Sequence, residues 1–269
     1  MERFLLINNK NFFDKHNIHT INTESDIPNY NSILFIGSHR ESSKINDIKK
    51  QFNNISKKPF TYIIIAGKGN GILSKNIIIP NNIKYIFATH TNYVHDKIKF
   101  LPLGSDFRSI SSFSNGNINN TNRDILCYCN FSLNTHSDRR KIHNKMKHKN
   151  FVTIENMQSF LSYSISRDEF FKKLSRSKFV ICPRGINLDS YRFYDTIYSG
   201  AIPIVVKEQF HNLPFFHEVP ILYLKNANEY NDLTEEFLNK KYDELIKYKK
   251  NYYEKLDFNN FINELNSYK

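Results

Sequence analysis

The sequence predicts an α/β fold with two domains, for three reasons. Short apolar runs alternate with charged stretches of helical length, which is typical of parallel strands joined by helical crossovers. The polar segment SISSFSNGNINNTN at 109–122 interrupts this alternation as a linker would. A chain of 269 residues is long enough for two domains of ordinary size. We therefore expect a first domain at residues 1–115 and a second at 116–269.

The first domain is predicted to contain four strands and one helix. The strands are the apolar runs at 32–37, 60–66, 83–88 and 99–103, and the helix is the charged stretch at 42–54. The second strand is followed by GKGNG at 67–71. This run lacks the Lys-Ser/Thr of a P-loop and the trailing pattern of a dinucleotide fingerprint. We interpret it as a loop.

The second domain is predicted to begin with a strand and to alternate regularly. Its strands are predicted at 124–131, 151–154, 179–182, 202–206 and 221–224; its helices at 137–147, 166–176 and 189–199, then from Asn228, Lys241 and Asp257. The last helix is a candidate to pack on the first domain. Cys127, Cys129 and Cys182 fall in apolar runs, so we expect small buried side chains rather than disulfides or metal ligands.

The most informative segment runs from Phe179 to Val206 and reads FVICPRGINLDSYRFYDTIYSGAIPIVV. It predicts a strand, a loop, a helix that opens near Asp189 and Ser190, a stop at Gly200 and another strand. Arg184 and Arg192 flank the first helical turn, where a cation is disfavoured unless an anion lies beside it.

Two interpretations of this pair of arginines are open. In the first, both grip a diphosphate, Gly185 allows close approach of the backbone, and Asp189 serves as the N-cap. Asp195, one turn beyond Arg192, could then accept from ribose hydroxyls. In the second, Arg192 and Asp195 form an ordinary surface salt bridge at i,i+3.

A second helix start carries arginines as well. In CNFSLNTHSDRRKI (129–142) a strand ends and a helix opens, with Asn134, Thr135 or Ser137 as possible caps. Arg139 and Arg140 lie in its first turn, so the same argument about a cation at a helix start applies. The alternative is that both are solvent-exposed residues of a Lys-rich helix, which suits Arg140 better than Arg139.

The run SKFVICPRGINLDSYRFYDTIYSGAIPIVV, followed by LPFF at 213–216, resembles the C-terminal half of exostosin-family glycosyltransferases. The shared pattern is an apolar strand, Pro-x-Gly, an Asp or Ser before an Arg, an acid three residues later, then Gly, a strand containing Pro, and Leu-Pro-Phe. Asp195 stands where relatives usually carry Glu, one methylene longer. The resemblance is strong over 177–216, extends from Asp124 onward and is weak before that.

The resemblance implies a GT-B architecture, in which two Rossmann-like domains flank a cleft. It implies an inverting transfer of a sugar from a nucleotide diphosphate, with UDP-sugars such as UDP-xylose as the usual donors. The donor residues would be Arg139, Arg184, Gly185, Asp189, Ser190, Arg192 and Asp195. The acceptor would be a hydroxyl of a glycan or glycoprotein, approaching from the first domain.

The catalytic base is the least determined element. Relatives often have a Gly-x-Ser-Asp-like turn after the second strand, but this chain has Asn70 there, and an amide cannot accept the proton. Asp106 and then His90 are the preferred candidates, and His39 and Asn70 are expected to line the acceptor cleft. Two alternatives are open: a GDP-fucose-dependent fucosyltransferase, and a glycan- or nucleotide-binding protein with impaired catalysis.

Composition limits the classes of ligand and partner that the chain is expected to bind. The net charge of +12 suits an anionic donor, an anionic glycan or a membrane surface, and no known nucleic-acid module is present, so nucleic acid is not expected. No run is long enough to span a bilayer and no secretory signal is recognisable, which predicts a soluble cytoplasmic protein. No Asp-x-Asp follows a strand, so we expect no metal and no cofactor beyond the nucleotide sugar. Frequent Asn, Ile and Lys indicate AT-rich coding, as in low-GC microbes and large DNA viruses.

Overall fold

The computed structural model describes residues 15–21, 23–36, 45–66, 77–88, 95–105, 122–155, 165–185, 189–207, 219–251, 263 and 265–267. The chain divides into two compact units. One comprises Leu5–Leu103 and Phe261–Lys269, and the other comprises Met1–Phe4 and Gly104–Asn260. The boundary predicted between residues 115 and 116 lies outside the described residues and stays a prediction.

The first unit is built on a parallel sheet of five strands. They are β1 (Ile18–Thr20), β2 (Ser32–Ile36), β3 (Tyr62–Ala66), β4 (Ile83–Ala88) and β5 (Ile98–Phe100), and they lie in chain order. The helix α1 (Ile45–Ser56) adds Ile48, Phe52 and Ile55 to the core beneath the sheet. The four predicted strands are confirmed. β1 has only three residues and contains a histidine, so it gave no apolar run to recognise.

The second unit is built on another parallel sheet of five strands, whose order is not the chain order. Its strands are β6 (Ile125–Cys129), β7 (Val152–Ile154), β8 (Ser177–Ile181), β9 (Ile202–Val206) and β10 (Leu222–Leu224). Their order across the sheet is β10-β9-β8-β6-β7, so β6 and β8 are central neighbours although β7 lies between them in the chain.

Among the described residues, four α-helices accompany the second sheet. They are α2 (Ser137–Met146), α3 (Arg167–Arg176), α4 (Tyr191–Tyr198) and α5 (Glu235–Leu245), with 3-10 turns at Glu229–Asn231 and Ile246–Asn251. The predicted helix start at Lys241 is wrong, because Thr234 caps α5 by accepting from the backbone N–H of Phe237 at 3.1 Å. The predicted stop of α4 is confirmed: Gly200 has φ 72°, and its N–H donates to the carbonyl of Ile197.

The core of the second sheet contains all three cysteines of the chain. Cys127, Cys129 and Cys182 are buried and unbridged, as predicted. Burial raises the pKa of the Cys129 and Cys182 thiols to about 12, and it raises the pKa of the Cys127 thiol well above its usual value. These thiols are therefore uncharged packing groups at neutral pH.

A buried arginine holds the amino end of the second sheet together. Arg123 Nη1 donates to the carbonyls of Ser177 at 2.6 Å and Leu174 at 3.3 Å, and its Nη2 donates to the carbonyl of Ser199 at 2.8 Å. These carbonyls belong to the end of α3, the start of β8 and the end of α4. One guanidinium thus connects three segments through their backbone oxygens, and it shares the Leu174 carbonyl with the N–H of Ser177.

Candidate functional site

The strand order of the second sheet marks one place as a binding position. From β6 the chain continues to one side through β7 and then returns to the other side through β8, β9 and β10. In open parallel sheets, ligands bind beyond the carboxyl ends of the strands where the order reverses in this way. The loops after β6 and β8 therefore frame the expected site. The described strands of the first sheet run in chain order and show no such reversal.

Arg192 lies in the first turn of α4, beyond β8. Its guanidinium stacks over the ring of Phe170 at 5.2 Å. Its Nε and Nη1 are buried, and neither has a hydrogen-bond partner among the described residues. Burial lowers the pKa of this guanidinium. A buried cation with two unused donors is costly for the fold, and a bound anion would relieve this cost.

Arg184 follows β8 by three residues and repeats this feature. Its Nε is buried and has no hydrogen-bond partner in the described part of the chain. The pKa of His136, in the loop after β6, is lowered first by burial and second by the positive charge of Arg184. Arg184 is therefore close enough to act on that loop. The sequence therefore located both arginines correctly relative to the strand and the helix. Their contact with a diphosphate stays a prediction.

Arg139 lies on α2 at the same end of the sheet, but each of its three nitrogens already donates to a backbone carbonyl. Nε donates to the carbonyl of Arg184 at 2.6 Å, Nη2 to that of Pro183 at 3.0 Å, and Nη1 to that of Ser132 at 3.1 Å. Burial and the positive charge of Arg192 lower its pKa to about 9, so it stays protonated at neutral pH. Its charge contributes to the site while its hydrogen bonds go to the backbone. Arg140, in contrast, is exposed and donates to Asn134 Oδ1 at 3.1 Å.

Two hydroxyl groups at the site were missed by sequence reasoning as binding groups. Ser132 Oγ and Thr135 Oγ1, in the loop after β6, are buried and have no hydrogen-bond partner among the described residues. Thr135 was considered only as a helix cap. The cap of α2 is instead His136, whose Nδ1 accepts from the N–H of Asp138 at 3.2 Å. Their position in the sequence, directly after a strand at the switch point, could have identified these hydroxyls, because ligands bind beyond the carboxyl ends of such strands.

The N-cap assigned to Asp189 is wrong by one residue. The cap of α4 is Ser190, which has an extended backbone and makes no side-chain cap bond. The carboxylate of Asp189 is buried and accepts from the hydroxyl of Tyr194 at 2.8 Å, which directs it along α4 rather than to the helix start. No acidic residue lies in the first turn of α4 to balance Arg192. Burial lowers the pKa of Arg192 overall, because its effect is larger than that of the charge of Asp195, one turn further along α4, which raises this pKa.

Asp195 is only 4% exposed, which excludes a surface salt bridge with Arg192. Its Oδ1 accepts from the hydroxyl of Ser105. The predicted contact of Asp195 with ribose stays a prediction. A pocket of about 400 Å³ opens beside the start of α2; its lining includes Thr135, His136 and Ser137.

The remaining predicted site residues lie outside the described residues. They are the base candidates Asp106 and His90, and the acceptor-cleft residues His39 and Asn70. Among the residues that are described, no three His, Cys, Asp or Glu side chains are grouped as metal ligands. None of the described helices is long and apolar enough to cross a bilayer.

The second unit is therefore an α/β domain with a parallel sheet, and buried arginine nitrogens without a hydrogen-bond partner among the described residues lie at its switch point. Comparison with known proteins narrows the class to one family. Residues 107–266, more than half of the chain, match the family model of the RXYLT1 C-terminal domain, and the chain belongs to this family. The predicted resemblance to exostosin-related glycosyltransferases is confirmed.

One curated relative is the probable glycosyltransferase At3g07620 of Arabidopsis thaliana. It is 30% identical over 103 residues, which are 37% of this chain and 20% of that protein. The chain thus covers only a small part of its relative's length.

Two solved structures have a similar course. An alpha1,3-fucosyltransferase has a TM-score of 0.43 at 14% identity, covering 80% of this chain and 68% of that chain. An alpha-glucosyltransferase in complex with UDP and a 13-mer DNA with an A:G mismatch has a TM-score of 0.38 at 14% identity, covering 84% and 73%. The predicted α/β class is confirmed by the chain's own two parallel sheets, while the cleft between the domains stays a prediction.

Proposed function

We propose that the chain is an inverting glycosyltransferase that binds the diphosphate of a nucleotide sugar at the switch point of its second sheet. The observation that carries this proposal is the set of buried nitrogens on Arg184 and Arg192 that have no hydrogen-bond partner in the described part of the chain. Two guanidiniums match the oxygens of a diphosphate, and each can bind bidentately. The buried hydroxyls of Ser132 and Thr135 add neutral donors beside them.

The same groups would serve the chemistry. When a sugar leaves its nucleotide, negative charge grows on the terminal phosphate oxygens. Cationic donors that are already fixed stabilise this charge without reorganisation, and a single such donor typically contributes about 10²–10³ in rate. The acceptor hydroxyl must lose a proton as it attacks the anomeric carbon from the opposite face. Asp106, or else His90, is proposed as the base, at about 2.6–3.2 Å from that hydroxyl.

The donor is proposed to be a UDP-sugar, with UDP-xylose the first to test, and the acceptor a glycan hydroxyl. Thermal unfolding with UDP, GDP, CMP or ADP tests the donor site. A ligand at about one hundred times its Kd adds ~2.7 kcal/mol to the free energy of unfolding. At about 2–4 °C per kcal/mol, the Tm should rise by several degrees.

The nucleotide that shifts the Tm decides the donor. A shift with UDP alone supports the proposal and directs the search to UDP-sugars. A shift with GDP alone would instead favour the GDP-fucose alternative, and no shift with any of the four would contradict a donor site around Arg192. UDP binding without transfer from any UDP-sugar to a glycan panel would indicate a binding protein with impaired catalysis.

A further inference from the structure

The turn that carries Arg184 is held by a residue from another segment. The Pro183 and Arg184 carbonyls in this turn, and the Ser132 carbonyl after β6, all accept from the guanidinium of Arg139. The side chain of Arg139 therefore connects the two loops that meet at the switch point. Its planar fork suits this task, because it directs three N–H groups to three acceptors at once.

Gly185 completes this arrangement. A Cβ built on Gly185 would lie 3.2 Å from Arg139 Nη2 and 3.7 Å from Thr135 Oγ1. The φ of Gly185 lies outside the left-handed region, so its backbone suits any residue. The space beside it is limited by the guanidinium of Arg139 and not by the backbone conformation.

Arg139 is also fixed from its other side. Its guanidinium lies over the ring of Phe131 at 5.6 Å, and the residue is buried. The lack of a side chain at Gly185 leaves room for the Arg139 guanidinium. The ring and the three carbonyls then leave this side chain little freedom to turn toward a ligand. Its position is set before any ligand arrives.

We propose that Arg139 is a positioning residue: it fixes the Pro183–Gly185 turn so that Arg184 meets the bound diphosphate in its working orientation. This assignment differs from the direct phosphate contact that the sequence suggested for Arg139, and it rests on the proposed donor site. Its consequence is that Arg139 and Arg184 act as one unit in binding. Removing Arg139 should remove most of what Arg184 contributes.

The experiment is a double-mutant cycle on the full chain, read by UDP affinity and by urea unfolding. Arg139→Met and Arg184→Met should each weaken UDP binding by roughly tenfold or more, and the double variant should be little worse than either alone. Arg139→Lys keeps the charge but not the fork, so it should bind nearly as weakly as Arg139→Met. Arg176→Met, at an exposed arginine paired with Asp124, is the control and should bind UDP normally.

Gly185→Ala provides a second, milder test. The added methyl should displace the Arg139 guanidinium and weaken UDP binding several-fold. In the Arg139→Met background the same substitution should have little effect on either binding or stability, because its obstacle is gone.

The outcomes separate the two proposals. Additive losses for Arg139 and Arg184, or wild-type affinity in Arg139→Lys, would overturn the positioning role while leaving the donor site standing. If the wild-type chain binds none of the four nucleotides, the donor site fails, and urea unfolding alone tests whether Arg139 fixes the turn. In that case an equal cost of Gly185→Ala with and without Arg139 would overturn it, and a cost that depends on Arg139 would support it.

Discussion

The two ends of the second sheet use the same kind of side chain in opposite ways. At the amino end, Arg123 is buried and donates to three carbonyls from three segments. At the carboxyl end, Arg184 and Arg192 have buried nitrogens without partners among the described residues. A satisfied buried guanidinium stabilises a fold, whereas an unsatisfied one costs stability and persists where a ligand uses it. Arg139 shares features of both ends: it lies at the carboxyl end of the sheet, as Arg184 and Arg192 do, but each of its nitrogens donates to a backbone carbonyl.

The largest effect should follow from Arg192→Met. The change removes a cationic donor from the proposed diphosphate site, so transfer from the UDP-sugar should fall by about 10²–10³. The free energy of unfolding should stay the same or rise, because a desolvated cation is replaced by an apolar chain of similar length. Turnover assays and urea unfolding on the same preparation measure both. A marked loss of stability with intact transfer would reverse the roles given to the two ends.

The matching change at the amino end, Arg123→Met, should act on stability alone. It removes three hydrogen bonds to buried carbonyls, and only the Leu174 carbonyl is known to keep another donor, the N–H of Ser177, so we expect a cost of about 2–3 kcal/mol. The midpoint of urea unfolding reports this loss. The UDP affinity of the fraction that is still folded should equal that of the wild type. An affinity change comparable to that of Arg192→Met would mean that the two ends are not independent.

Two hydroxyls sharpen the comparison on a smaller scale. Thr135→Val removes an unpaired hydroxyl at the carboxyl end and should weaken UDP binding by about threefold to tenfold without loss of stability. Ser175→Ala removes a buried hydroxyl that donates to the Lys172 carbonyl at 2.9 Å. It should cost about 1 kcal/mol of stability and leave UDP binding unchanged. Isothermal titration measures the loss of UDP affinity, and urea unfolding measures the loss of stability. If both variants lost the same property, the different roles given to the two hydroxyls would be wrong.

The smallest effect concerns pH. Burial, followed by the charge of Arg184, lowers the pKa of His136. As the pH falls through about 6.5, the unfolded chain takes up a proton that the folded chain does not, so stability decreases toward acid. His136→Asn keeps a cap acceptor for α2 and removes this titration. It should lose less stability than the wild type between pH 7.5 and 5.5. His143, whose pKa is also lowered, contributes equally to both proteins.

Local patterns predicted the positions that depend on nearby residues. The strand, the turn with Arg184, the helix with Arg192 and the stop at Gly200 all follow from turn and helix-end preferences within about twenty residues. The contacts of Arg139 could not be predicted in this way, since its partner Pro183 is 44 residues further along the chain. The cap of α4 was misplaced for a similar reason, because the hydroxyl of Tyr194 competes for Asp189. Strand order, which locates the site, is a tertiary property that no single segment encodes.

The placement of the cysteines allows the rate at which the second unit opens to be measured by thiol labelling. All three lie in the second unit, buried and with raised pKa values, so a thiol reagent can modify them only when that part of the chain unfolds locally or globally. The rate of labelling by a chromogenic disulfide therefore reports opening of the second unit alone, without an added dye. Slower labelling in the presence of UDP would show that the bound ligand protects the native state from opening. Mass spectrometry of the labelled peptides would report this protection for individual cysteines.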